Sequence, residues 1–96
     1  MYTMNNRTLK DLLYEQVARV GKALASPKRL EMLEMLAQGE KAVETVAEAV
    51  GIDVKLASAH LKALKEARLV ESRRDGKRMV YRLSGKDVAL LGVTLR

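Results

Sequence analysis

A chain of 96 residues with 18 Lys+Arg against 12 Asp+Glu carries a formal net charge of +6, and its length holds one small core and no second one. It has no cysteine and a single histidine, which excludes disulfides, thiolate metal ligands, catalytic thiols, redox switching and a zinc cluster built from histidines. Three tyrosines are the only aromatics, too few to stack the bases of a single strand or an RNA loop.

Residues 1–7 read as a disordered polar leader and residues 8–96 as one domain, with no repeat or linker dividing it. From Thr8, a residue type that caps helices, Leu9, Leu13, Val17, Val20 and Leu24 recur at helical spacing. Ser26 followed by Pro27 has the form of an N-cap and first helical residue. The second helix it opens draws its apolar face from Leu30, Leu33 and Leu36, with Met32 and Met35 as core filler, and ends near residues 38 and 39. A third helix is expected over 43–50, with Val43, Val46, Ala47 and Val50 inward and Gly51 just past its end. Asp53 then caps a fourth helix over 54–67, with Ala57, Leu61 and Leu64 inward. After it the period changes to two. Segments 69–74 and 78–83 read as strands of a hairpin turning at Asp75 and Gly76. Ser84 opens a last short helix in which Val88, Leu91 and Leu95 repeat at helical spacing. The fold class is therefore mostly α with one β-hairpin, in the order α-α-α-α-β-β-α.

The charge is unevenly placed. Residues 1–52 hold seven basic and seven acidic side chains, whereas residues 53–86 hold ten basic and four acidic, so the whole excess lies in one contiguous third. A localised basic surface on a neutral body is the footprint of a polyanion binder. In the third and fourth helices, Ala47 is small where two backbones must approach, Gly51 makes the turn, and Ile52 and Ala57 complete an apolar underside, the pattern of a helix-turn-helix. The fourth helix would then be the recognition helix. Its outward face carries Lys55, Ser58, Ala59, Lys62 and Glu66, with Lys65 at the flank, side chains able to meet phosphates or base edges. Arg73, Arg74, Lys77 and Arg78 surround one tight turn, and such a cluster repels itself unless something negative lies beside it. A wing of this kind can follow the DNA backbone or enter the minor groove. The plainer alternative is a hairpin kept soluble and unpaired by its charge.

These residues resemble a family. The runs Ala25-Ser26-Pro27-Lys28-Arg29-Leu30, Val46-Ala47-Glu48, Ala57-Ser58-Ala59-His60-Leu61-Lys62-Ala63-Leu64 and Ala67-Arg68-Leu69-Val70, followed by a basic hairpin ending Tyr81-Arg82-Leu83, are similar to the ArsR/SmtB regulators. The resemblance spans about residues 17–83. It implies a winged helix-turn-helix repressor that binds a palindromic operator in double-stranded DNA as a homodimer and is released by an inducer. The recognition helix would be about 54–67 and the wing about 73–78. The first and last helices would form the dimer interface, through Leu9, Leu13 and Val17 with Val88, Leu91 and Leu95. His60 falls in the family's Ser-x-His-Leu run, with a structural or phosphate-contacting role rather than a metal-binding one.

The chain departs from the family pattern in four places. Metal-sensing relatives carry cysteines where this chain has residues 42–46, or Asp and His pairs on the last helix, which here offers Asp87 alone. No metal, cofactor or thiol switch is therefore expected, and the inducer is unidentified. Ala59 stands where relatives have Gln or Arg, which shifts base reading to Ser58 and its lysine neighbours. Arg68 stands where they have Gly. Finally, the chain stops soon after Leu83, where some relatives continue into a second domain such as a rhodanese-like sulfur-transfer unit, so the resemblance also implies an alternative, the regulatory domain of a larger sulfur-transfer protein. No nucleophile–base pair or glycine-rich phosphate loop is recognisable, so no enzyme activity is expected. No apolar run reaches the ~18 residues of a membrane span and no signal peptide opens the chain, which points to the cytoplasm. A winged-helix module docking an acidic protein is the alternative function.

Overall fold

The computed structural model describes residues 6–85, in the order α1 (Asn6–Leu24), α2 (Pro27–Ala37), β1 (Lys41–Ala42), α3 (Val43–Val50), α4 (Val54–Glu66), β2 (Val70–Asp75) and β3 (Arg78–Leu83). The last helix expected from sequence, with Val88, Leu91 and Leu95, lies outside the described residues, as do residues 1–5.

The first correction concerns the start of α1. The chain is already helical at Asn6, so Thr8 sits inside the first turn and does not cap it, and Asn6 and Arg7 do not belong to a disordered leader. Arg7 and Asp11, four apart at 3.5 Å, lie one above the other on that first stretch. At α2 the expected start holds. The Ser26 side chain accepts a hydrogen bond from the Arg29 amide at 3.3 Å, and Pro27 occupies the first turn, where its missing N–H costs nothing. Met32 and Leu36 are buried, but Leu30 points out, since two residues along a helix turn the side chain by roughly 200° away from Met32.

The helix pair forms as its sequence predicts. Val43, Val46, Ala47 and Val50 are the buried residues of α3, and Gly51 takes the left-handed conformation at φ 74°. That turn lets the Ile52 amide reach back to the Ala47 carbonyl at 3.0 Å. Asp53 then caps α4, its carboxylate accepting from the Leu56 amide at 2.7 Å. Lys28 of α2 donates to the Val50 carbonyl at 2.5 Å, placing a cation at the negative end of α3 and fixing that helix against its neighbour. Ala57, Leu61 and Leu64 of α4 close over Met32 and Val46 with no exposure, so the recognition-helix candidate is bolted to the core along its inner face.

At its far end α4 stops in a Schellman arrangement. The Leu69 amide bonds to the Leu64 carbonyl and the Arg68 amide to the Lys65 carbonyl, both at 2.9 Å. Arg68 takes the left-handed position with φ 64°, the one described non-glycine residue with positive φ. The chain then enters the hairpin. Asp75 pairs with Arg78, so the two turn residues are Gly76 and Lys77, one step later than the expected Asp75 and Gly76. Gly76 has φ 65° and Lys77 does not have positive φ, the requirement of a type II′ turn with glycine first. Sequence reading also missed β1. This two-residue strand pairs Lys41 with Tyr81 and Ala42 with Val80, making β3 the middle strand of an antiparallel sheet ordered β1-β3-β2. Covered by β1, Val80 is buried together with Tyr81, and the simple alternation expected of that strand breaks.

Candidate nucleic-acid interface

With its inner face locked, α4 presents Lys55, Ala59 and Lys62 to solvent, Ser58 half-buried between them, and Glu66 at the end of the same face. Lys65, at the flank, donates to the Ser72 hydroxyl of β2 at 2.7 Å and ties the helix to the hairpin. His60 turns the other way. The Nε of Arg29 in α2 donates to His60 Nδ1 at 3.0 Å, which requires a neutral ring with its proton on Nε2. Burial first, and then the Arg29 charge, holds the His60 pKa below its ordinary 6.5. Of the DNA-contact candidates on this helix, His60 is the one committed to an interhelical bond.

The hairpin sorts its charges by face. Residues opposite one another across an antiparallel pair share a side of the sheet. One side carries the pairs Glu71–Arg82, Arg73–Val80 and Asp75–Arg78, the other Ser72–Tyr81 and Arg74–Met79. On the first side the arginines are taken up by carboxylates. Arg73 makes a two-pronged bond to Glu40, at 2.9 and 2.5 Å, and Arg82 reaches Glu71 at 2.9 Å. Arg78 lies 4.0 Å from Glu44. The Arg73 guanidinium also holds the Glu40 carboxyl below the usual carboxylate range. On the other side, Arg74 has no ion-pair or side-chain hydrogen-bond partner among the described residues, and neither has Lys77 in the turn. The negative groups that the cationic turn calls for are thus in part the protein's own Glu40 and Glu44, which sequence reading did not connect to the wing. Both belong to the segment around β1, more than 30 positions from the arginines they pair with and without any periodic signal.

A second surface stands out on α1. Leu9, Leu13 and Val17 are 54%, 58% and 61% exposed, with Leu12 and Tyr14 beside them, so the helix's apolar stripe has no cover among the described residues. Such a contiguous patch marks an interaction surface. Among the described residues no group of three His, Asp or Glu side chains is placed to hold a metal ion, and no helix is long and apolar enough to cross a membrane.

Two helices crossing over a tight glycine turn, with a hairpin beside the exposed helix, define a winged helix-turn-helix. A family profile described as bacterial regulatory protein, arsR family, matches residues 26–72, from the cap of α2 into the wing. The chain is 57% identical over 82 residues to the HTH-type transcriptional regulator Rv0324 of Mycobacterium tuberculosis, covering 85% of this chain and 36% of that protein. It is 36% identical over 80 residues to the uncharacterized HTH-type transcriptional regulator Rv0081 of the same organism, covering 82% of this chain and 70% of the other. A solution structure of the homodimeric winged helix-turn-helix DNA-binding domain (fragment 1–100) Mb0332 from Mycobacterium bovis, a possible ArsR-family transcriptional regulator, matches with a TM-score of 0.81 at 54% identity, covering 95% of this chain and 82% of that one. The chain belongs to the ArsR family of transcriptional regulators. It spans little more than a third of the length of Rv0324.

Proposed function

We propose that the chain is a cytoplasmic, sequence-specific transcriptional repressor that binds a palindromic operator in double-stranded DNA as a homodimer, released by an inducer that is not sensed through cysteines. Helix 54–67 reads the major groove, and the wing 73–78 lies on the flanking backbone or minor groove. One observation carries this reading: the Lys65–Ser72 bond ties the flank of α4, beside its outward Lys55 and Lys62, to the side of the hairpin that bears the unpaired Arg74, so the cations of helix and wing are held next to one another. The homodimeric neighbour from Mycobacterium bovis and the uncovered stripe of α1 support dimerisation through Leu9, Leu13 and Val17. Ser58 and Lys55 sit where a recognition helix meets base edges, so substituting either changes preference at one base pair by about 1–3 kcal/mol.

The test is selection of bound duplexes from a random pool, with the mass of the complex measured alongside. A symmetric site with half-sites about 10–10.5 base pairs apart, held by two chains, is the expected result. Equal binding to all duplexes, erased by modest salt, would instead identify a module that docks an acidic protein.

A further inference from the structure

Between the C-terminal half of α1, the first turn of α2 and the end of α4 lies a cleft of about 520 Å³, within the range of small-ligand sites. Alanines of α1 and α4 supply its apolar lining, and Arg19, Lys22 and Arg29 with Glu15 and Glu66 supply its charge, a net of +1. None of these five side chains makes an ion pair within 4.0 Å among the described residues. Three cations around one concavity raise a positive potential there, which an anion would relieve. Arg29 is also pre-oriented. Its Nε is spent on His60 Nδ1, and a neutral imidazole takes one hydrogen bond without cancelling the charge. Both terminal amino groups of that guanidinium are left over, the fork that grips a carboxylate or phosphate with two parallel bonds.

We propose that this cleft binds a small multivalent oxyanion, a polycarboxylate or a phosphorylated organic acid, through Arg29 with Arg19 and Lys22 as flanking cations, and that α4 senses its occupancy through the Arg29–His60 bond. The cleft is walled by the helix proposed to dimerise and the helix proposed to read DNA, so a ligand that favours one spacing of α1 and α4 is coupled to both. The site itself stands on the cleft alone; the sensing step rests on the DNA-binding reading.

The experiment has two arms. In the first, the whole 96-residue chain without DNA is titrated with pyrophosphate and with citrate, against sodium chloride at matched ionic strength, while the Arg29 Nε–H and His60 ring signals are followed by NMR. Saturable shifts are expected, weakened at least about tenfold in Arg29→Gln and also in Lys22→Gln, whose exposed side chain takes no part in the His60 bond. The tighter of the two probes tells phosphate from carboxylate. Shifts no larger than those with chloride, or variants that titrate like the natural chain, overturn the site. In the second arm the bound probe changes operator affinity by about fivefold or more in the natural chain and not in Lys22→Gln. Probe binding that leaves operator affinity unchanged overturns the sensing role. If Arg29→Gln and Lys22→Gln each weaken operator binding with no probe present, the cations are backbone contacts and the proposal fails. Should the natural chain select no DNA sequence at all, the DNA-binding reading falls, while the first arm still decides the cleft.

Discussion

Arg68 holds a left-handed backbone conformation, φ 64°, at a position where the Schellman bonds to Leu64 and Lys65 demand it. An L side chain there crowds the neighbouring carbonyl by about 1–2 kcal/mol. Arg68→Gly removes the Cβ while keeping both amide bonds, partly offset by the extra freedom of glycine in the unfolded chain. A gain of about 1 kcal/mol is expected, read as a higher urea midpoint at unchanged slope. His60 gives a second prediction. Its pKa lies below 6.5 in the folded chain, so as pH falls the unfolded chain binds a proton first. Stability is complete above about pH 6.5 and declines as pH drops through that value towards the folded pKa. Urea titrations stepped from pH 7.5 to 5 read this loss, and His60→Gln flattens it. These two residues also mark the range of what one sequence discloses. The left-handed cap at Arg68 was signalled by the family resemblance, since Arg68 stands where relatives have Gly, and a helix C-cap is set within a few residues of chain. The bond of His60 to Arg29 was not, because its partners lie 31 positions apart and meet only after α2 and α4 pack.

The same division runs through the elements. α3, its glycine turn and α4 were readable because caps, periodic apolar positions and a left-handed glycine act within a few residues. Strand β1 was not, since two residues carry no period and Lys41 and Ala42 become a strand only by pairing with β3. That strand and its flanks bring Glu40 and Glu44 beside the wing, and so divide cations that sequence had grouped as four equals. Arg73 is engaged by Glu40, whereas Lys77 and Arg74 face solvent unpaired. A phosphate must therefore displace Glu40 to reach Arg73. Lys77→Ala is expected to weaken binding to every duplex and to reduce the slope of log K against log salt by about 0.9. Arg73→Ala should change the slope much less. Glu40→Gln, which frees Arg73, should tighten binding to all duplexes and steepen the slope by about 0.9. Anisotropy titrations across a salt series measure all three. Equal slopes for Lys77→Ala and Arg73→Ala would mean that Glu40 does not withhold its partner.

For the whole molecule the governing feature is α1, 19 residues long with Ala23 its one buried side chain among those described. A helix that buries so little against the described residues depends on further contact along its apolar face, because most helical stability in a protein comes from tertiary packing of that face. The exposed row of Leu9, Leu13 and Val17 can find that contact in a second copy related by a two-fold axis, where each stripe meets its equivalent. If so, folding and association are linked, and the thermal midpoint of the natural chain rises with protein concentration. Val17→Glu places a carboxylate in the middle of the stripe at a position 61% exposed, where the single chain pays little for it. The expected product is a monomer by sedimentation, with a concentration-independent midpoint. Its binding to random duplex, per chain, should be unchanged, because α4 and the wing are untouched. Its operator affinity should fall by about 10²–10⁴, since two half-sites are no longer engaged by one tethered pair. A Val17→Glu chain that still sediments as a dimer would move the interface off α1, and one that loses random and operator DNA alike would show that the damage lies in the fold rather than in the pairing.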